Sequence, residues 1–296
     1  MGFDLVPEDF AAGIVNQAGD AGRAWLSQLP DHVESLCDRW HLAIDGAPMH
    51  GYLGLVVPVT RDGEPCALKV SWMDESTADE IAALVAWDGQ GSVRLLEADP
   101  AIRAMLLERL ESRRSLEDVE IGEAVAVAGR LLRRLAIPAP DGLARVPAVA
   151  ERLARTLTER WDRLDRPMPR PLVDAASDLA GQLGPAAGGL LVNWDLHYGN
   201  VLAGKREPWL AIDPKVVVGD PEFGLAQLLW TRLEDMERSG GLSRYFDALV
   251  GEAGLDARRA RSWSLVRCVD YWLWALGAGL TVDPVRCEFI AGWLAS

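Results

Sequence analysis

Cysteine is scarce and scattered in this chain. Its four cysteines, Cys37, Cys66, Cys268 and Cys287, form no Cys-x-x-Cys pair, so neither a zinc site nor a disulfide framework is indicated. A basic surplus is missing as well: the formal net charge is −14. Phosphate backbones are bound by basic surfaces, so no nucleic-acid partner is expected. Met1-Gly2-Phe3-Asp4-Leu5 has no basic segment leading into an apolar one, and no signal peptide is read there. The most apolar late stretch, Tyr271 to Val282, is preceded by Asp270 and is too short to span a bilayer. No internal repeat or low-complexity tract is visible. The expectation left by these absences is a cytoplasmic globular protein without a membrane partner.

A chain of 296 residues is long for one core and comfortable for two lobes. Phe10, Ile14, Trp25, Leu29, Val33, Leu36 and Trp40 recur at helical intervals. Leu53 to Val59 and Cys66 to Trp72 are apolar, β-branched runs on either side of Asp62-Gly63, which predicts an antiparallel hairpin. Thr77 to Trp87 reads as a helix opened by the capping-box pattern Thr77-Ala78-Asp79-Glu80. Two strands are expected near Val93 to Glu97 and Arg103 to Glu108. From Leu116 the pattern is mainly helical, with strand pieces at Leu190 to Val192 and Trp209 to Ile212. Four helices should close the chain, with Trp263, Trp272, Trp274 and Trp293 in their interior. The fold class expected is α+β: a small sheet lobe over 1–106, a hinge at 107–113 and a larger helical lobe over 114–296.

The most informative stretch runs from Leu191 to Leu202 and continues at Trp209-Leu210-Ala211-Ile212-Asp213-Pro214. Asn200 lies five residues after Asp195, and Asp213 thirteen after Asn200. In phosphoryl transfer one carboxylate orients the acceptor hydroxyl, while an Asn and a second carboxylate hold magnesium on the nucleotide phosphates. Magnesium keeps several waters, so two protein ligands and phosphate oxygens suffice. Asp195 is therefore the candidate general base, and Asn200 and Asp213 are the candidate metal ligands. Each could alternatively be a turn residue capping backbone amides. Asp213 follows an apolar strand, where a carboxylate is costly unless a cation meets it. His197 reads as a structural histidine.

Lys69 lies among apolar neighbours in Ala67-Leu68-Lys69-Val70, the setting of a kinase lysine that contacts phosphates and pairs with a helical Glu. Glu80 is its best partner, in competition with reciprocal capping by Thr77. Gly51 and Gly54 occupy the place of a phosphate-covering loop, although an ordinary turn accounts for them equally. Leu106 to Leu110 resembles the segment joining kinase lobes. The backbone groups of Glu108 and Leu110 should meet the purine, with the Glu108 and Arg109 side chains facing solvent.

Asp195-Leu196-His197 with Asn200, Ile212-Asp213-Pro214-Lys215 and Gly219-Asp220-Pro221 resemble the aminoglycoside/hydroxyurea phosphotransferases, including streptomycin 6-kinase-like proteins. The resemblance runs from about Leu53 to Trp230. It implies a protein-kinase-like fold, ATP and Mg2+ as cofactors, and phosphorylation of a small hydroxylated compound. That compound would be a cationic aminoglycoside such as streptomycin, or hydroxyurea, and inactivating it would confer resistance. Three departures stand out: Asn193-Trp194 for the family's usual His-Gly, Tyr198 for a frequent Pro, and Gly224 where Asp is common.

Excess acid favours a cationic acceptor through long-range attraction, but it equally serves solubility. Glu234, Asp235 and Asp270 are the acids that a cationic sugar would meet. A nucleotide-binding module without turnover is a second reading. A kinase of proteins is a third, opposed by the short Asp213-to-Pro221 connection.

Overall fold

The computed structural model describes residues 5–74 and 77–296. The chain divides into two units, Met1–Gly89 with Val93–Leu110 and Gln90–Ser92 with Glu111–Ser296.

In the first unit the helical periodicity of the opening residues becomes α1 (Glu8–Trp40), which buries Phe10, Ile14, Leu29, Val33 and Leu36. Gly19 breaks it, with φ 56° and ψ −129°, into two helical segments. The buried face packs on a six-stranded antiparallel sheet through Leu55, Val57, Leu68, Val70 and Leu106. Its strands are β1 (Leu42–Ile44), β2 (Met49–His50), β3 (Gly54–Arg61), β4 (Glu64–Ser71), β5 (Leu95–Asp99) and β6 (Ala104–Glu108). Their order is β1-β3-β4-β6-β5, with β2 also on β3. The predicted hairpin is β3–β4, and both of its turn residues are left-handed, Asp62 at φ 51° and Gly63 at φ 83°. Two positive φ values make the turn whose twist matches paired strands. The strands β1 and β2 were not anticipated.

The helix expected from Thr77 begins later, as α2 (Glu80–Trp87), and its capping box does not form. Asp79 is the N-cap, without a side-chain bond. The Thr77 hydroxyl instead lies 2.9 Å from the Trp72 carbonyl, and the Glu80 carboxylate is engaged by Lys69.

The second unit opens on β7 (Glu111–Ser115), then α3 (Ile121–Leu135), α4 (Val146–Arg163) and α5 (Arg170–Leu183). The helix predicted from Leu116 starts as a single 3-10 turn, and α3 proper is capped by the Glu120 carboxylate on the Glu123 amide at 3.1 Å. Four short strands follow: β8 (Leu190–Asn193), β9 (Val201–Ala203), β10 (Trp209–Ala211) and β11 (Val216–Gly219). They form two small antiparallel sheets, β10-β9-β7 and β11-β8. Five helices close the chain where four were expected: α6 (Ala226–Trp230), α7 (Leu233–Arg238), α8 (Leu242–Ala253), α9 (Ala257–Gly277) and α10 (Val282–Ala295). Trp263 and Trp272 are buried as expected, and Trp293 is partly buried. Trp274 is not interior: it is 48% exposed and stacks at 5.4 Å on Tyr271. Among the described residues no helix is long and apolar enough to cross a membrane.

Candidate active site

Two short strands place Asp195. The apolar run Leu191-Val192 is buried in β8, paired antiparallel with β11 so that Asn193 faces Val216. One residue further, the Trp194 amide donates to the Lys215 carbonyl at 3.0 Å, and the chain turns away at Asp195. The Asn193 side-chain oxygen accepts the Asp195 amide at 3.1 Å, fixing that turn. Both carboxylate oxygens are held. Gln227 Nε2, on α6, donates to Oδ1 at 2.8 Å, and Lys215 Nζ lies 2.9 Å from Oδ2. The sequence reading gave neither residue this place. The available signals were a lone amide in the apolar run of α6 and a lysine two residues past Asp213.

Gly224 is explained by the space available. A Cβ there would lie 2.6 Å from the Asn193 carbonyl oxygen and 3.0 Å from Leu132 Cδ1. The absent side chain lets the turn before α6 press directly on the strand that carries Asp195. Gly224→Ala should destabilise the protein by about 1–3 kcal/mol through overpacking, seen as a lower denaturant midpoint at unchanged slope. Turnover of the folded fraction should also fall, because the atom displaced belongs to Asn193.

Trp194, part of another departure, has the buried Arg267 guanidinium 4.6 Å from its ring centre and the Lys215 ammonium 5.7 Å away. Arg267 meets Asp270 at 3.5 Å, and Asp270 also takes Arg160 at 2.6 Å. Burial holds the Arg267 pKa below its ordinary value, opposed by the charges of Asp270 and Asp195.

Asn200 ends the single 3-10 turn Tyr198–Asn200 and leads into β9. Val201 faces Ala211 across the β9–β10 hairpin, and the Ile212 amide donates to the Asn200 carbonyl at 2.9 Å. Asp213 therefore leaves β10 beside Asn200. Its φ is 47°, a left-handed conformation that Asp tolerates better than most residues. Among the described residues no group of three or more His, Cys, Asp or Glu side chains converges on a cation site. An Asn–Asp pair fits magnesium, which takes its remaining ligands from water and phosphate. His197 is largely buried, but its Nδ1 has no hydrogen-bond partner among the described residues, so it is not the satisfied structural histidine that was expected. Burial pushes its pKa below the ordinary value against the pull of Asp195, Glu117 and Asp213.

In the first unit, Lys69 lies on β4 between Val56 of β3 and Met105 of β6. A buried ammonium in a sheet needs a counter-charge. Glu80, in the first turn of α2, provides it with both oxygens, at 2.6 and 2.8 Å. Gly54 opens β3 directly over this pair, and a Cβ there would lie 3.0 Å from Lys69 Cε. The Gly51 amide donates to the Gly54 carbonyl at 2.9 Å, closing a tight turn.

The side chains of Glu108 and Arg109, expected to face solvent, are half-buried and engaged. The Glu108 carboxylate accepts the Arg94 amide at 2.8 Å, and Arg109 bonds the Val59 carbonyl at 3.0 Å and Asp45 at 2.6 Å. The Glu108 amide is taken by the Arg94 carbonyl at 3.0 Å. Leu110 ends the first unit.

The acids considered for a cationic acceptor are each engaged. Glu234 is bound by Arg286 at 2.7 Å, Asp235 by Arg232 at 2.7 Å, and Asp270 by Arg160 and Arg267.

The sequence pattern of the family described as "Aminoglycoside/hydroxyurea antibiotic resistance kinase" matches residues 39–279. The chain is 40% identical over 291 residues to the streptomycin 6-kinase of Streptomyces glaucescens, covering 94% of each. It is 42% identical over 287 residues to the hydroxyurea phosphotransferase of Kitasatospora aureofaciens, covering 95% of this chain and 83% of that protein. Its fold is similar to a thermostable mutant of aminoglycoside phosphotransferase APH(4)-Ia in complex with ADP and hygromycin B. The TM-score is 0.62 at 16% identity, over 88% of this chain and 96% of that one.

Proposed function

The chain belongs to the aminoglycoside/hydroxyurea antibiotic resistance kinase family, and on that premise we propose that it transfers the γ-phosphoryl group of ATP to a hydroxyl of a streptomycin-like aminoglycoside, inactivating it. The observation that carries this reading is Asp195, held at both carboxylate oxygens at the end of β8. A carboxylate fixed in this way can orient an acceptor hydroxyl and take its proton as the new O–P bond forms. Asn200 and Asp213, side by side at the mouth of the β9–β10 hairpin, would hold magnesium. The ion, when bound, neutralises charge on the phosphates. Lys69, paired with Glu80, is the cation of the first unit for the phosphates, under the close-packed strand end at Gly54. The backbone at Glu108 and Leu110 is the candidate purine contact. The Leu110 amide is the group to test first.

Phosphorylation of hydroxyurea is the second reading, supported by the 42% identity to a hydroxyurea phosphotransferase. Incubation of the purified protein with ATP-magnesium and each acceptor, with mass analysis of the products, separates the two. Phosphorylated streptomycin is the expected product. Phosphate on hydroxyurea alone would select the second reading, and transfer to no member of a broad acceptor panel would leave a nucleotide-binding module.

Salt gives an independent check. The candidate acids near the closing helices are paired, so any attraction of a cationic acceptor must come from the net charge of −14. The Debye length falls from roughly 30 Å at 0.01 M salt to roughly 10 Å at 0.1 M. At saturating ATP-magnesium, kcat/KM for a cationic aminoglycoside should drop over that range, while a neutral acceptor should show little change. A flat profile with an active aminoglycoside would remove electrostatic capture and leave the kinase reading in place.

A further inference from the structure

Lys215 is the one cation in contact with the Asp195 carboxylate among the described residues, at 2.9 Å from Oδ2. We propose that it is a second catalytic residue, which binds the transferring phosphoryl group in the transition state. This deepens the reading of Asp195 as the group that takes the acceptor proton, and rests on it.

The argument begins with strand register. Asn193 faces Val216, so the next pair outward is Trp194 with Lys215, and Asp195 follows. The same backbone pairing that delivers the carboxylate delivers the ammonium. Arg267, also near Asp195, is only 5% exposed and meets Asp270 and the Trp194 and Phe223 rings. The Lys215 side chain is 30% exposed against 13% for Asp195, so its end can reach an incoming group. The Trp194 ring, 5.7 Å from Nζ, forms one wall beside it.

Charge flow through the reaction gives the lysine its role. Before transfer, the ammonium is paired with an ionised Asp195. As the acceptor oxygen bonds to phosphorus, the bond from phosphorus to the ADP oxygen breaks and ADP leaves with that electron pair. The hydroxyl proton passes to Asp195, which becomes neutral. Lys215 then loses its counter-charge at the moment when negative charge is spread over the three equatorial oxygens of the phosphoryl group. Its attraction shifts from the carboxylate to those oxygens. An interaction stronger in the transition state than in the ground state accelerates the reaction without tightening substrate binding.

The test uses the full chain with streptomycin or hydroxyurea, whichever is phosphorylated. It compares wild type, Lys215→Met, Lys215→Arg, Asp195→Ala and the double variant Asp195→Ala/Lys215→Met. Loss of a preorganised donor to developing charge costs on the order of 10²–10³ in kcat. Lys215→Met should show that loss with the KM for ATP little changed, and Lys215→Arg should recover part of it. ADP-magnesium affinity, which also reports folding, should be retained in every variant. Affinity for ADP-magnesium with aluminium fluoride, a mimic of the planar phosphoryl group, should fall in Lys215→Met. It should fall again when Lys215 is removed from Asp195→Ala, because the contact proposed is with the phosphoryl group itself. If the second loss disappears, the lysine acts only through Asp195 and the proposal is overturned. An inactive Asp195→Ala beside an unimpaired Lys215→Met removes the lysine's role alone, whereas wild-type turnover by Asp195→Ala removes the underlying reading and this one with it.

Discussion

Asp195→Ala should lower turnover by about a hundred- to ten-thousand-fold, the usual scale for loss of a general base, while ATP affinity stays within a few-fold. The carboxylate is aimed at the acceptor in this reading and does not belong to the metal pair. Its removal leaves two donors without acceptors, Gln227 Nε2 and Lys215 Nζ. Lys215 is exposed enough to be met by water, so the folded state should survive and the loss should appear in kcat. Asp195→Asn sharpens the test, because it keeps the size of the side chain and cannot take a proton. Steady-state kinetics beside calorimetric ATP binding decide the matter. Unchanged turnover in either variant would remove Asp195 from the mechanism.

Asp213→Asn should weaken magnesium-dependent nucleotide binding more than Asp195→Ala does, by at least about tenfold. Disturbing even the outer support of a metal site costs that much in affinity. The substitution isolates charge unusually well. Asp213 sits at φ 47°, and Asn accepts the left-handed conformation as readily as Asp. The backbone, and the Ile212-to-Asn200 bond beside it, should therefore persist. Titration of ATP with and without magnesium gives the comparison. An identical magnesium dependence in variant and wild type would contradict the role.

The parts of this structure legible in the sequence are those written in local chemistry. Asp62-Gly63 between β-branched runs announces its hairpin because few other pairs accept two positive φ values. Lys69 in an apolar strand demanded a counter-charge, and Glu80 was the acid within reach. That same contact explains the missing capping box, since one carboxylate cannot serve both Lys69 and the helix start. The Asp195, Asn200 and Asp213 spacing was visible because short loops carry all three. Lys215 and Gln227 were not visible as partners of Asp195. Their contacts depend on β8 pairing with β11 and on α6 packing behind, and both are tertiary facts with no local periodicity. The strands β1, β2 and β7 are too short or too exposed to alternate clearly. In α9, buried residues lie on most faces, from Trp263 through Val269 to Ala275. A tryptophan's position along that helix therefore does not reveal which way it points, and Trp274 was misplaced for that reason.

The two side chains that set the posture of Asp195 alongside Lys215 are amides, Asn193 through the backbone N–H and Gln227 through the carboxylate. An amide neither gains nor loses a proton at any acidity a living cell meets. A family member that carries a histidine at the Asn193 position has an imidazole there, which changes charge within the physiological range. In this chain neither of the two side chains that hold Asp195 in that posture is ionisable. Acidification would leave these two hydrogen bonds in place, so a change of activity with pH would report on other groups, the largely buried imidazole of His197 beside Asp195 among them.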